Sequence, residues 1–215
     1  MISNFTYNLQ FWPMAVIIIV VVSWLLYALL APANWREWRG VGLMQAFIIA
    51  LYAEMYGFPL TIYALTVYFG FDIPLRYSSG HLWSSLLGYG RIGEVVETLI
   101  GSFFIVLGAL LIIKGWVKVY FGTMKASLVT DGVYQIVRHP QYLGVFLVVL
   151  GQIIDWPTIP TLLMSPFIVW AFVGLARNDE VRMIEKFGDE YRAYQRKVPM
   201  LLPNIECWFD RENAQ

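Results

Sequence analysis

The chain has 215 residues, 59% of them hydrophobic and only 14% charged, with 15 Lys and Arg balanced by 15 Asp and Glu. A soluble domain usually carries about 25% charged residues, so this composition predicts an all-α integral membrane protein, and the zero net charge excludes a nucleic-acid partner that needs a basic face. The single cysteine, Cys207, excludes an internal disulfide and a cysteine-based metal site, and with only two histidines, His81 and His139, far apart in sequence, no metal centre is expected.

Five spans are predicted along the chain. The first runs from Pro13 to Ala31, about the 20 residues that one crossing needs. No Lys or Arg precedes Arg36, so this span lacks the basic flank of a secretory signal and is expected to be retained. The second runs from Val41 to about Phe69 and is broken near Gly57-Phe58-Pro59. It is too long for one upright crossing, which predicts a tilt or a kink at Pro59. Glu54 lies inside it. A carboxylate at such a depth costs about 2.5 to 3.5 kcal/mol even on the gentler insertion scale, so Glu54 is expected either to bond a neighbouring helix or to face a polar cavity.

The third span is predicted from about Gly93 to Val119. The fourth, Pro140 to Ile154, and the fifth, Trp156 to Ala176, read as a hairpin closed at Asp155-Trp156-Pro157. Beyond Ala176, Val181, Ile184, Phe187, Tyr191, Tyr194 and Val198 recur at three- and four-residue spacing among charges. This pattern predicts an amphipathic helix over about residues 177–197, interrupted at Gly188 and ended by Val198-Pro199. No repeat or linker divides the chain, which is expected to form one domain.

Charge distribution orients these spans. With five crossings, 13 of the 15 Lys and Arg fall on one side, and only Arg76 and Arg91 on the other. The positive-inside rule then places the C-terminus in the cytoplasm.

Two polar stretches stand out at the edge of this apolar frame. One is the loop Leu128-Val129-Thr130-Asp131-Gly132-Val133-Tyr134-Gln135-Ile136-Val137-Arg138-His139-Pro140-Gln141-Tyr142-Leu143-Gly144. The other begins Arg177-Asn178-Asp179-Glu180 and continues through Phe187-Gly188-Asp189-Glu190-Tyr191. Glu180 stands four residues before Ile184, on the apolar stripe. Ionisable groups at that depth mark function, here a charged cofactor. Each stretch also has a plainer reading. Arg138-His139-Pro140 reads equally as an interfacial anchor with a proline opening a helix, and Asp179-Glu180 as a first-turn acidic pair favoured by the helix dipole.

These stretches, with Gly115-Trp116 before them and Trp156-Pro157-Thr158 between them, resemble the isoprenylcysteine carboxyl methyltransferase family in its broad sense, including prokaryotic integral membrane relatives. The resemblance covers roughly half the chain, from Gly108 to Pro203. It implies S-adenosylmethionine as methyl donor and a lipophilic or lipidated acceptor, an isoprenylcysteine-like carboxylate or a thiol. By position it implies Arg138, His139, Tyr142, Gly144 and Glu180 as donor-binding residues, with Asp179 in the place of the motif's first glutamate. A donor of that charge also needs a cation near its carboxylate, which Arg138, His139 or Arg177 can supply, and His139, with Arg138 beside it, is the group placed for catalysis. Glu54 and Tyr56 are the expected acceptor-side residues. Asp179 departs from the family pattern, where a glutamate is usual, and Val133 stands where proline is frequent. Phospholipid amine N-methylation is an alternative. So is a NADPH-dependent membrane sterol-type reductase, which shares a similar arginine-histidine-proline loop, and so is a non-enzymatic membrane protein.

Overall fold

The computed structural model describes residues 12–30, 35–56, 60–70, 81–124 and 127–202. Among them lie eight α-helices: α1 (Trp12–Leu30), α2 (Trp35–Tyr56), α3 (Leu60–Phe69), α4 (Leu82–Leu87), α5 (Gly90–Met124), α6 (Pro140–Asp155), α7 (Ile159–Phe187) and α8 (Asp189–Lys197). A 3-10 turn covers Gly132–Gln135, and no strand is present among the described residues. Gly57, Phe58, Pro59, Arg76, Lys125, Pro203, Cys207 and Arg211 lie outside them, as do the side chains of Arg36, Arg39 and Tyr56.

The helices differ from the sequence expectation at four places, the first being α2, which begins at Trp35 rather than at Val41. The third span is longer at both ends, from Gly90 to Met124. The fifth span and the amphipathic segment are not separate elements: α7 continues from Ile159 to Phe187. Polarity changes near Arg177, but no residue there breaks a helix. The break comes at Gly188, which adopts φ +54, a conformation cheap only for glycine. The short helix α4 was not predicted. Two helices, α5 over Gly90–Val119 and α7, are long and apolar enough to cross a membrane by length and composition.

Contacts group the chain into two compact units, Met1–Ile105 with Val149–Ala171, and Val106–Val148 with Phe172–Gln215. In the first, α1 packs along α2, and Gln45 donates from Nε2 to Ser23 Oγ at 2.7 Å. Met44, Phe47, Ile48 and Leu51 form the buried stripe of α2. Glu54, also buried, reaches over the α2–α3 break: its Oε2 accepts the N–H of Thr61 at 3.0 Å. That amide belongs to the first turn of α3, where helical N–H groups lack intrahelical acceptors and the dipole favours a negative charge. Thr61 Oγ1 in turn accepts the N–H of Ile159, the first residue of α7, at 2.9 Å. The carboxylate thus caps one helix, and that helix's hydroxyl caps another.

Glycines set how closely helices approach within each unit. In the first unit, a Cβ at Gly101 would lie 2.8 Å from the carbonyl oxygen of Gly151. In the second, a Cβ at Gly108 would lie 2.5 Å from the oxygen of Gly144, and one at Gly144 would lie 2.6 Å from the oxygen of Gly108. No other residue fits such a backbone contact without displacement.

Candidate functional site

The second unit holds the loop and both halves of the acidic segment. The loop is pinned first at its start, where Lys118 on α5 pairs with Asp131. Gly132 then turns the chain with φ +64, and Tyr134 is buried with its hydroxyl donating to the Gly115 carbonyl at 3.4 Å. The hydroxyl of Tyr194 on α8 donates to the Tyr134 carbonyl at 2.6 Å.

Downstream, two prolines shape the site. Val198 precedes Pro199 and is therefore driven to extended backbone, observed at φ −122, ψ 128. This ends α8 and presents successive carbonyls to the loop: Arg138 N–H donates to Pro199 O at 2.9 Å and His139 N–H to Met200 O at 3.2 Å. On the loop side, Pro140 opens α6 at a position whose N–H has no helical acceptor to lose, and the His139 carbonyl accepts from Leu143 at 3.1 Å. His139 is thus the residue at the N-terminal cap of α6.

The charged groups converge there. Arg138 donates from Nε and Nη2 to Oε1 of Glu180 at 2.7 and 2.6 Å. Its Nη1 donates to the carbonyls of Gln195 and Val198 at 2.9 and 2.7 Å. The second Glu180 oxygen accepts from Gln195 Nε2 at 3.2 Å. His139 Nε2 lies 3.5 Å from Glu180 Oε1, yet is buried without a hydrogen-bond partner. The His139 ring stacks on Tyr142, with centroids 5.6 Å apart and planes 10° off parallel. Tyr142 donates its hydroxyl to Asp179 Oδ2 at 2.6 Å and meets Phe172 edge-on. Asp179 Oδ1 pairs with Arg182 at 3.1 Å.

Burial pushes the pKa of His139 below the ordinary histidine value, and the Glu180 and Asp179 carboxylates offset this only in part. The imidazole is therefore neutral at pH 7. Burial likewise raises Tyr191 to about 12, with Glu180 adding to the effect, and raises Tyr134 and Tyr194. All three phenols stay protonated and able to donate.

Of the sequence candidates, the structure brings together Arg138, His139, Tyr142, Asp179 and Glu180. Arg177 is exposed on α7 and outside this set of bonds. The close approach that Gly144 permits is to the backbone of α5. Glu54 belongs to the other unit, and the Tyr56 side chain lies outside the described residues. Gln195 was missed. Its signal was available, since it stands four residues after Tyr191 and three before Val198, at the rim of the buried stripe.

Residues 96–190 match the family model described as Phospholipid methyltransferase. Over 80 residues the chain is 41% identical to a protein-S-isoprenylcysteine O-methyltransferase of Schizosaccharomyces pombe, which covers 36% of this chain and 34% of that protein. It is 39% identical over 74 residues to methanethiol S-methyltransferase 1 of Bradyrhizobium diazoefficiens, covering 34% of this chain and 25% of that one. This chain is thus similar, over part of its length, to named isoprenylcysteine O-methyltransferases and methanethiol S-methyltransferases. A methanethiol S-methyltransferase of Pseudomonas deceptionensis is 30% identical over 125 residues, covering 55% of this chain and 43% of that protein. The chain thus spans less than half the length of each of these family members. No solved structure matches.

Proposed function

We propose that the chain is an integral membrane methyltransferase that takes its methyl group from S-adenosylmethionine and acts on a lipophilic acceptor, either an isoprenylcysteine-like carboxylate or a thiol. The observation that carries this reading is the half-buried, mutually bonded cluster Arg138, His139, Tyr142, Asp179 and Glu180, within the residues 96–190 that match the phospholipid methyltransferase family model.

The residues fit such a donor. His139 Nε2 is a buried polar atom with no bond of its own, near the Glu180 and Asp179 carboxylates, and its ring stacks on Tyr142. Asp179 and Glu180 would meet the donor's ammonium. Four N–H groups of Arg138 are already committed to Glu180 and to two carbonyls, which leaves His139 and Arg177 as the groups to meet the carboxylate. When bound, the donor supplies a methyl group on a positively charged sulfur, so the protein's task is alignment and exclusion of water. A carboxylate acceptor is ionised at pH 7 and needs no base. A thiol must lose its proton, and neutral His139 can take it on Nε2 in the tautomer that leaves this nitrogen unprotonated, in which case Arg177 alone meets the donor's carboxylate.

The membrane reading is supported by which side chains face outward. On α5, Ile92, Leu99 and Phe103 are 79%, 65% and 62% exposed, and on α7, Leu163 and Trp170 are 64% and 72% exposed. A core helix of a soluble protein buries such residues; a lipid-facing helix does not. Five crossings with a cytoplasmic C-terminus follow from the basic residues, and a reporter fused after Tyr77 should read the outer side. A cytoplasmic signal there would sink that topology.

Calorimetric titration of the purified protein with S-adenosylhomocysteine and with NADPH tests the donor. Binding of the first at micromolar concentration and none of the second is expected; NADPH binding alone would transfer the chain to the reductase reading. Product analysis with phospholipid, thiol and prenylcysteine acceptors separates the acceptor classes. Glu54 and Tyr56 are proposed to line the acceptor side. Glu54→Gln should lower turnover while leaving homocysteine-product affinity unchanged, and turnover equal to the parent's would leave Glu54 as the cap of α3 alone.

A further inference from the structure

Arg138, Glu180 and Gln195 close a ring across three segments of the second unit. Arg138 holds Oε1 of Glu180 with Nε and Nη2. Gln195 holds Oε2 with Nε2. The Gln195 carbonyl takes Nη1 of Arg138, at 2.9 Å, and closes the circuit. Each member is bound to the other two, so the carboxylate has a fixed plane and both of its oxygens are engaged.

His139 is the residue that the ring leaves out. Its Nε2 sits 3.5 Å from Glu180 Oε1 with no hydrogen bond formed, and its side chain is 10% exposed. A carboxylate free to rotate would close that gap, because a charge-assisted hydrogen bond is roughly twice as strong as a neutral one. The bond from Gln195 to Oε2 opposes the rotation.

We propose that Gln195 is a positioning residue, which by tying Glu180 into the ring with Arg138 keeps the carboxylate off His139 and leaves Nε2 of His139 open as a polar contact of the donor site. The donor half of this statement rests on the methyltransferase reading; the hold on His139 does not. Glu180, on this account, acts through the ring on His139 as well as on any bound ammonium.

The test is a titration of histidine-labelled protein by NMR without ligand, together with calorimetry. The chain has two histidines, so the His139 resonance is identified by its loss in His139→Gln. Gln195→Met keeps the side-chain length and removes the amide. Glu180 should then swing to His139, and His139 should titrate at higher pH than in the parent, as a nearer opposite charge requires. S-adenosylhomocysteine affinity should fall about tenfold, the scale of one lost hydrogen bond to a charged group. In a Glu180→Gln background the upward movement should vanish. Gln195→Lys, which still donates to Oε2 but adds a cation, should show no rise of His139 above the parent titration. An unchanged His139 titration in Gln195→Met, or the same rise in the Glu180→Gln background, overturns the proposal. If the variants do not fold, the parent decides: the Gln195 side-chain amide protons must be protected from exchange, and rapid exchange overturns the ring. A parent that binds no S-adenosylhomocysteine sinks the donor reading and leaves the titration result standing.

Discussion

The two histidines of this chain both sit beside carboxylates, and the two clusters are balanced differently. Around His139, Glu180 meets a guanidinium on one oxygen and an amide on the other, and one atom, His139 Nε2, goes unbonded. Around His81, in the first unit, Nδ1 faces Glu97 Oε2 at 3.6 Å and Asp155 Oδ1 at 4.0 Å. All three of those atoms are buried without a hydrogen-bond partner. Glu97 is anchored instead through its other oxygen, which accepts the N–H of Ser84, and His81 packs edge-on against Trp156. The residue types are nearly the same. The difference is a cation: a carboxylate paired with arginine is costly to disturb, whereas a buried carboxylate oxygen with no bond is costly to keep.

Neutralising each carboxylate in turn sharpens this contrast. Glu180→Gln leaves Arg138 buried without its counter-charge and should destabilise the protein by about 3 kcal/mol, within the range for breaking one side of a buried pair. Glu97→Gln keeps a carbonyl acceptor for Ser84 and removes an unbonded negative oxygen, so it should lie within about 1 kcal/mol of the parent, in either direction. Chemical denaturation of the two variants in one detergent is the measurement. Equal losses would mean that His81 carries a charge that pairs with Glu97, and the contrast between the clusters would collapse.

A smaller effect appears in pH. Burial lowers His139 in the folded state, while the unfolded chain has the ordinary value of about 6.5. The unfolded state therefore takes up the proton first. The stability that this group contributes is complete above about pH 6.5 and is lost as pH falls from there toward the lowered folded value. His139→Gln should flatten that part of the stability–pH curve. A slope that survives the substitution belongs to another group.

Much of the frame was readable beforehand. Apolar runs located α1, α3 and α6 to within a few residues and the central parts of α2, α5 and α7, because a long apolar run marks a helix whose surface is kept from water. The break at Gly188 was readable from glycine itself. The glycines at 101 and 108, seven apart as are 144 and 151, were equally readable as one face of each helix, and were passed over because a glycine in a helix has no local signature until a partner is known. The expected division at Ala176 failed for a related reason: hydropathy reports solvent, and the backbone of α7 follows its own hydrogen bonds from one environment into the next.

The chain alone singled out the candidate residues. Arg138, His139, Asp179 and Glu180 stand out because ionisable side chains are rare in so apolar a sequence, and that rarity is a property of composition and order. Only the tertiary structure decided how they are paired. Arg138 and Glu180 are 42 residues apart and bonded to each other, Gln195 completes their ring from α8, and Glu54 caps α3 across a break rather than standing alone. Pairing of this kind depends on where three segments meet in space, and no spacing within any one segment encodes it, since a side chain's partner is set by the packing of the helices that carry it.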